Sequence, residues 1–447
     1  MNKSVLVLGA GSVAPPLIKY LCKQPGIQLK IADQIFEKAQ QLALPSPSAH
    51  PLHLDIRDQS KTRSLVKEAD LVISILPYTF HPEIASYCVE MRTNMITASY
   101  VSQSMKDFDS EAKQKGILIL NEIGLDPGID HMEAMRIIHE IKNNNGIVTS
   151  FISFCGGLPA PEANTNPFGY KFSWSPRGVL LAGKNPAQYL ENDQILYIPP
   201  EKLFQNPAAV FIKEVGSLEG YPNRDSLPYK ELYQIPSART LIRGTLRYKG
   251  WCSFMHYAAK IGLLEERSEN WEGMTNPDFI RKTAGIAEQG DLKSDLANHL
   301  KIATNSNFIR CLDWLGIFKP QTLPLKQGSA LDILVKLMEK RLSFQKGERD
   351  LILLQHKIKA EYKDKESQEI TSNLIHYGNP DGDTAMSKTV GLPLAIAAKL
   401  ILSHTIVSTG VQIPISCEIY EPILTELKES GIEFQTNISK IRERRGT

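Results

Sequence analysis

The sequence predicts an α/β protein built on a doubly wound parallel sheet, and three observations carry that expectation. A short β-branched strand, Ser4 to Leu8, runs directly into Gly9-Ala10-Gly11-Ser12-Val13-Ala14 and an apolar helical pattern through Leu17, Ile18 and Leu21. Strand and helix patterns then alternate as far as residue 130, the order that a parallel sheet with crossover helices requires. Finally, the apolar run Gly116 to Leu120 leads into Asn121-Glu122-Ile123-Gly124-Leu125-Asp126-Pro127-Gly128-Ile129-Asp130, and a helical face of Met132, Ile137, Ile138 and Ile141 leads out.

Taken in order, the first turn is a G-x-G-x-x-A fingerprint of the Rossmann type. Gly9 and Gly11 permit the tight turn and the close approach of backbone to a pyrophosphate, while Ser12, Val13 and Ala14 open the helix. Leu29 to Ala32 is the second strand. Asp33 closes it about twenty residues beyond the glycines, where a carboxylate suits a ribose 2′-hydroxyl. The competing reading of Asp33 is a cap on the following helix. His53-Leu54-Asp55 ends a third strand, Leu71 to Ile75 is a fourth with Leu76-Pro77-Tyr78 at its tip, and Met95 to Thr97 leads to Ala98-Ser99-Tyr100. Ligands of open parallel sheets bind beyond the carboxyl ends of the strands, so Tyr78, Tyr100 and Asp126 are expected where a nicotinamide would lie. Asp126-Pro127-Gly128 is turn chemistry, and alone it would be read as a turn and nothing more. Asp130 and Glu133 form a D-x-x-E capping pattern at the start of the next helix.

A second domain begins with the strand Val148 to Phe154, expected to end in the bent segment Cys155-Gly156-Gly157-Leu158-Pro159-Ala160-Pro161-Glu162. The stretch 168–178 is aromatic and polar without clear period, which suits a pocket wall; its plain alternative is a packed surface loop. Tyr221 to Ser226 is a loop carrying Arg224, and Leu241 to Tyr248 is a strand bearing Arg243 and Arg247. Several guanidinium forks are what a multiply anionic small substrate would need. Leucines at helical spacing around residues 292–303 and 331–338 read as a small helical insertion. Leu351 to Gln355 reads as a strand returning to the second sheet, and Gly391 to Leu402 as an apolar helix packing back on the first domain. The expected division is 1–129 with 385–447 for the dinucleotide domain, 130–255 with 341–384 for a substrate and dimerisation domain, and 256–340 for the insertion.

Composition narrows the class. A chain of 447 residues holds two or three domains, and Lys+Arg 51 against Asp+Glu 49 leaves +2, which predicts neither a nucleic-acid nor a membrane-surface partner. No apolar run is counted at the ~18 residues needed to span a bilayer. The first residues run straight into a strand with no secretory pattern. Six cysteines without C-x-x-C spacing read as reduced thiols in a cytoplasmic protein, and no metal motif is present.

The segments GAGSVAPP, ILPYTFHPE, ASYVS, NEIGLDPGIDHM, CGGLPAPE, GYKFSWSPRGVLLA, YPNRDS, IRGTLRY, KGERDLILLQHK and VGLPLAIAAKLIL occur in this order over nearly the whole chain. In them the chain resembles the saccharopine reductase family, the glutamate-forming saccharopine dehydrogenases of the aminoadipate route of lysine biosynthesis. The resemblance implies a Rossmann domain, a mixed α/β substrate and dimerisation domain with a small α insertion, and a homodimer. It implies a reversible reaction in which 2-aminoadipate 6-semialdehyde, L-glutamate and NAD(P)H give saccharopine. It places Asp126, Tyr100 and Cys155 in the pocket as proton-transfer groups and Arg224 on a substrate carboxylate, with Arg243, Arg247, Ser99 and Lys171 as further substrate contacts. Imine formation and hydride addition need proton transfers about one carbon and no metal. The family's usual cofactor is NADP(H), whereas Asp33 followed by Gln34 and Ile35 leans toward NAD(H). Two rival readings are a polyamine imine reductase of the carboxynorspermidine type and a nucleotide-binding regulatory protein without turnover.

Overall fold

The computed structural model describes residues 2–287 and 290–441. One unit comprises residues 1–147 and 382–435, and a second comprises 148–381 with the segment after 435. In the first, the strands are β1 (Lys3–Leu8), β2 (Ile27–Asp33), β3 (Ala49–His53), β4 (Leu71–Ser74), β5 (Asn94–Ile96) and β6 (Leu118–Leu120). Their order is Gly410–Gln412, β6, β5, β4, β1, β2, β3, and each neighbouring pair is parallel. Val5 to Leu8 and all of β4 are buried, as expected of strands covered on both faces. The edge strand Gly410–Gln412 carries no pattern long enough to find in sequence. It is fixed beside β6 and accepts the Asn121 amide at 2.9 Å through Gln412.

Three helices place the site. These are α1 (Ala14–Leu21) after the glycine turn, α2 (His81–Met91) after β4, and α3 (Ile129–Asn143) after β6. The apolar helix foreseen near the C-terminus spans Ala385–Leu402 and packs on α1. Its Gly391 is required there, because a Cβ would lie 2.6 Å from the Val13 carbonyl oxygen. At 18 residues and mean hydropathy 1.5 it is longer than the run counted in the sequence and could cross a bilayer by length and composition. It is 67% buried inside the unit, the condition of a core helix.

The second unit is a nine-stranded mixed sheet. Its central strands are β7 (Gly146–Pro159), β8 (Gly216–Pro222), β9 (Thr240–Arg247), β10 (Asp350–Tyr362) and β11 (Gln368–Tyr377). The path runs Ala208–Ile212, β8, β9, β7, β10, β11, Phe434–Lys440, with β9 parallel to β7 and antiparallel to β8. The expected bend at Cys155 does not occur. β7 continues through Pro159, and Gly156 serves close packing, since a Cβ there would sit 2.6 Å from the Leu246 carbonyl oxygen. The region 256–340 is mainly helical, and its apolar residues share one core with the sheet. The observed boundaries also differ from those expected. The helix α3 belongs with the first unit rather than the second, and Thr436 to Lys440 pair into the second sheet; residues 442–447 lie outside the described range.

Candidate active site

The glycine turn is built to accept a phosphate group. Gly9 sits at φ +105, a region that only glycine enters freely, and a Cβ on it would press the Ile75 carbonyl oxygen at 3.2 Å. A Cβ on exposed Gly11 would meet nothing within 4 Å, so the backbone there fronts open space. Ala14 donates back to Gly11, and Pro15 and Pro16 cannot donate at all. The amides of Gly11, Ser12 and Val13 find no acceptor among the described residues and could therefore hold a pyrophosphate. These residues fit a dinucleotide. Asp33 is committed to this turn, because Oδ2 accepts the Ala10 amide at 2.7 Å and Oδ1 the Ile35 amide at 2.8 Å. Leu76 is half-buried beyond β4, Pro77 is exposed, and Tyr78 is 71% exposed.

Beyond β5 and β6 the structure brings two predicted residues together. The Tyr100 hydroxyl donates to Asp126 Oδ1 at 3.1 Å, and both side chains are half-buried, so a proton can pass between them and a bound substrate. The Asp126 turn is closed by the Gly124 amide donating to Pro127 and the Asp130 amide to Leu125. Gly128, at φ +144, could not carry a Cβ, which would fall 2.1 Å from the Gly124 oxygen. The capping pattern works differently from its sequence reading. Gly128 is the N-cap of α3, the Asp130 carboxylate reaches back to the Gly128 amide at 2.6 Å, and Glu133 is held by Arg136.

Two buried groups that sequence reasoning missed lie behind this pair. His81, the first residue of α2, bonds Ser74 through Nδ1 at 3.0 Å, and through Nε2 meets Ser99 at 2.8 Å and Thr97 at 3.1 Å. Burial pushes its pKa down to about 4, so it is a neutral ring that orients the Ser99 hydroxyl. Glu122 and His131, both buried, meet at 2.8 Å. Both histidines and the glutamate stood inside recognised motifs, but one sequence shows a charge without showing its burial.

In the second unit, β9 pairs with β7 so that Thr245 lies opposite Cys155 and Arg243 opposite Ser153. Side chains two apart share a sheet face, so Arg243, Arg247 and Cys155 stand on one face. Cys155 is 7% exposed. Buried Arg243 lies over the Tyr229 ring at 4.1 Å. Arg247, 5% exposed, lies 4.9 Å from the Tyr170 ring centroid; Nη1 donates to the Leu246 carbonyl at 2.7 Å, and Nε has no acceptor. Its cross-strand neighbour Glu219 gives its carboxylate to the Gly250 and Cys252 amides instead. No carboxylate pairs with Arg247 among the described residues. The stretch 168–178 is not a pocket wall throughout: Phe168 and Tyr170 are fully buried, packed on Phe254 and Trp251. Lys171 already has an internal counter-ion in Glu348, at 2.5 Å. Arg224 is exposed and takes φ +57.

Comparison with known proteins accords with this construction. The chain matches the family descriptions "Saccharopine dehydrogenase NADP binding domain" over residues 5–120 and "Saccharopine dehydrogenase C-terminal domain" over 124–432. It is 39% identical to saccharopine dehydrogenase [NADP(+), L-glutamate-forming] of Pyricularia oryzae, covering 98% of this chain and 99% of that one. It is 38% identical to the mitochondrial alpha-aminoadipic semialdehyde synthase of Mus musculus, covering 97% of this chain and 48% of that one. The solved apo saccharopine dehydrogenase (L-Glu forming) from Saccharomyces cerevisiae superposes with a TM-score of 0.90 at 38% identity, over 98% of this chain and 100% of that one. The chain belongs to the saccharopine dehydrogenase family.

Proposed function

We propose that this chain catalyses the reversible, NAD(P)H-dependent condensation of 2-aminoadipate 6-semialdehyde with L-glutamate to saccharopine. The observation that carries the reading is Arg247, a buried guanidinium with an unsatisfied Nε and no carboxylate partner among the described residues. Burying an unpaired charge is costly, and a substrate carboxylate relieves that cost by pairing with it. A substrate made of two amino acids brings several carboxylates, and Arg243 and Arg224 are the further cations offered to them. The Lys171–Glu348 pair supports a structural role for Lys171.

Bound nicotinamide supplies or removes the hydride at the imine carbon. The chain's own part is to orient and to move protons. Tyr100 and Asp126 form one relay, Cys155 a second donor, and Ser99 is turned by His81 to hold substrate. Amides of residues 11–13 hold the pyrophosphate. NADP(H) is the favoured cofactor. The NADP-binding family description and the NADP(+) in the relatives' names support it over the NAD(H) preference expected from Asp33, whose oxygens each accept a backbone amide. Exposed Ile195, Tyr197 and Phe211 support an association surface for a second copy, hence a homodimer, and six free cysteines support a reducing, cytoplasmic setting. The test is nicotinamide absorbance in the purified protein with semialdehyde and glutamate, singly and together, and with each cofactor. Oxidation of NADPH that requires both is expected; equal rates with a diamine in place of glutamate would make it a polyamine enzyme.

A further inference from the structure

We infer that Glu122, locked to His131, is the positioning residue that sets both members of the Tyr100–Asp126 relay; this rests on the assignment of Tyr100 to proton transfer given above. The grip is made on either side of Tyr100. The Glu122 amide donates to the Ser99 carbonyl at 3.1 Å, and Glu122 Oε1 accepts the Val101 amide at 3.0 Å. Tyr100 is thus suspended between two peptide groups held by one residue, while His81 fixes the neighbouring Ser99 side chain.

The other carboxylate oxygen meets His131 Nε2 at 2.8 Å, and His131 Nδ1 stands 3.7 Å from the Asp130 carboxylate. Glu122 and His131 flank the loop that carries Asp126, the first just after β6 and the second in the first turn of α3. Their contact therefore closes that loop, and the same carboxylate holds the strand end that carries Tyr100. Relative exposures of 3% and 0% shield the contact from water, where such a pair is geometrically stiff. Glu122 sits at φ +58, a conformation in which a glycine would be at ease and a glutamate is not. A costly backbone at a buried charged residue is the pattern of a residue held for its side chain.

A displacement of the order of 1 Å in reacting groups costs about 100-fold in rate, so loss of this grip falls on kcat. The variant of choice is Glu122→Gly, which suits the φ +58 backbone and removes the carboxylate with the rest of the side chain. It is expected to lower kcat about 10- to 100-fold, with cofactor Kd unchanged. Glu122→Gln, which can still accept the Val101 amide and bond His131, should restore most of kcat. Combined with Tyr100→Phe, Glu122→Gly should cost less than the product of the two single losses, because part of its effect runs through the hydroxyl already removed. Additive losses, or a wild-type kcat for Glu122→Gly, overturn the positioning role. Tyr100→Phe with wild-type kcat overturns the assignment of Tyr100 itself, and this inference with it. His131→Asn, which frees the carboxylate without touching the positive-φ residue, runs the same cycle with the same criteria if Glu122→Gly does not fold.

Discussion

The two units of the chain treat buried polarity in opposite ways. Around Tyr100 and Asp126 the buried groups are matched inside the first unit: His81 with three hydroxyls, Glu122 with His131 and a backbone amide. On β9 of the second unit Arg247 is buried with a donor left over and its nearest candidate partner, Glu219, turned elsewhere. The first arrangement has its hydrogen bonds made within the unit; the second leaves a buried donor unmet, which is what the proposed substrate carboxylate would complete. Proton transfer depends on preset distances, whereas recognition draws on a charge that is costly until it is paired.

The contrast can be broken by experiment. The largest effect is expected at the relay: Asp126→Ala should lower kcat/KM by roughly 10- to 1000-fold. Cys155→Ser should cost less, since a hydroxyl still relays through water. Wild-type pH–rate profiles in both variants would remove the proton-transfer roles.

Next comes acid sensitivity of the matched half. His81 is held near pKa 4 by burial against 6.5 in an exposed chain, so between those values the unfolded chain takes up a proton that the folded one refuses. Its contribution is intact above pH 6.5 and is lost as pH falls through 4, by about 3 kcal/mol in full. Melting curves of His81→Asn from pH 7 to 4 should fall less steeply than wild type. Parallel curves would assign the acid lability to another group.

Arg247→Met sharpens the other side. Losing a charge-assisted contact worth about 1.5–3 kcal/mol should raise the substrate KM roughly 10- to 150-fold. Because the charge is unpaired without ligand, Tm should hold or rise, and a marked fall in Tm would mean that Arg247 is structural. Arg224→Met, at an exposed position, should change KM only about 2- to 5-fold, the worth of a solvated ion pair. A larger effect would show that substrate binding shields it from water. Asp33→Ser tests the cofactor turn: weaker binding of both NAD(H) and NADP(H) is expected, because the Ala10 clamp is lost. A clean switch of preference would return Asp33 to the ribose.

The parallel sheet was legible because its strands announce themselves twice, by β-branched runs and by the glycine turn that follows the first. The places of Tyr100 and Asp126 beyond the ends of β5 and β6 were legible because the strands before them are. Their contact was not, since Tyr100 and Asp126 are separated by a strand and a loop. Phe168 and Tyr170 misled because their burial is decided by Trp251 and Phe254, far along the chain. Cys155 misled because Gly156 and Gly157 look like a bend, whereas β7 runs on through Pro159 and Gly156 makes room for the Leu246 carbonyl of β9. Glu122 and His131 were invisible for a related reason, as ionisable residues default to the surface until a partner is known.

The first unit is made from both ends of the chain, with 382–435 returning to complete what 1–147 begins. During synthesis the cofactor-binding half therefore waits for the whole of 148–381 to emerge before the helix that backs its glycine turn exists. At typical elongation rates that interval is roughly 10–50 s. Throughout it, the side of α1 that packs on Ala385–Leu402 lacks its native cover, and apolar surface stands exposed on the newborn chain until that helix is made.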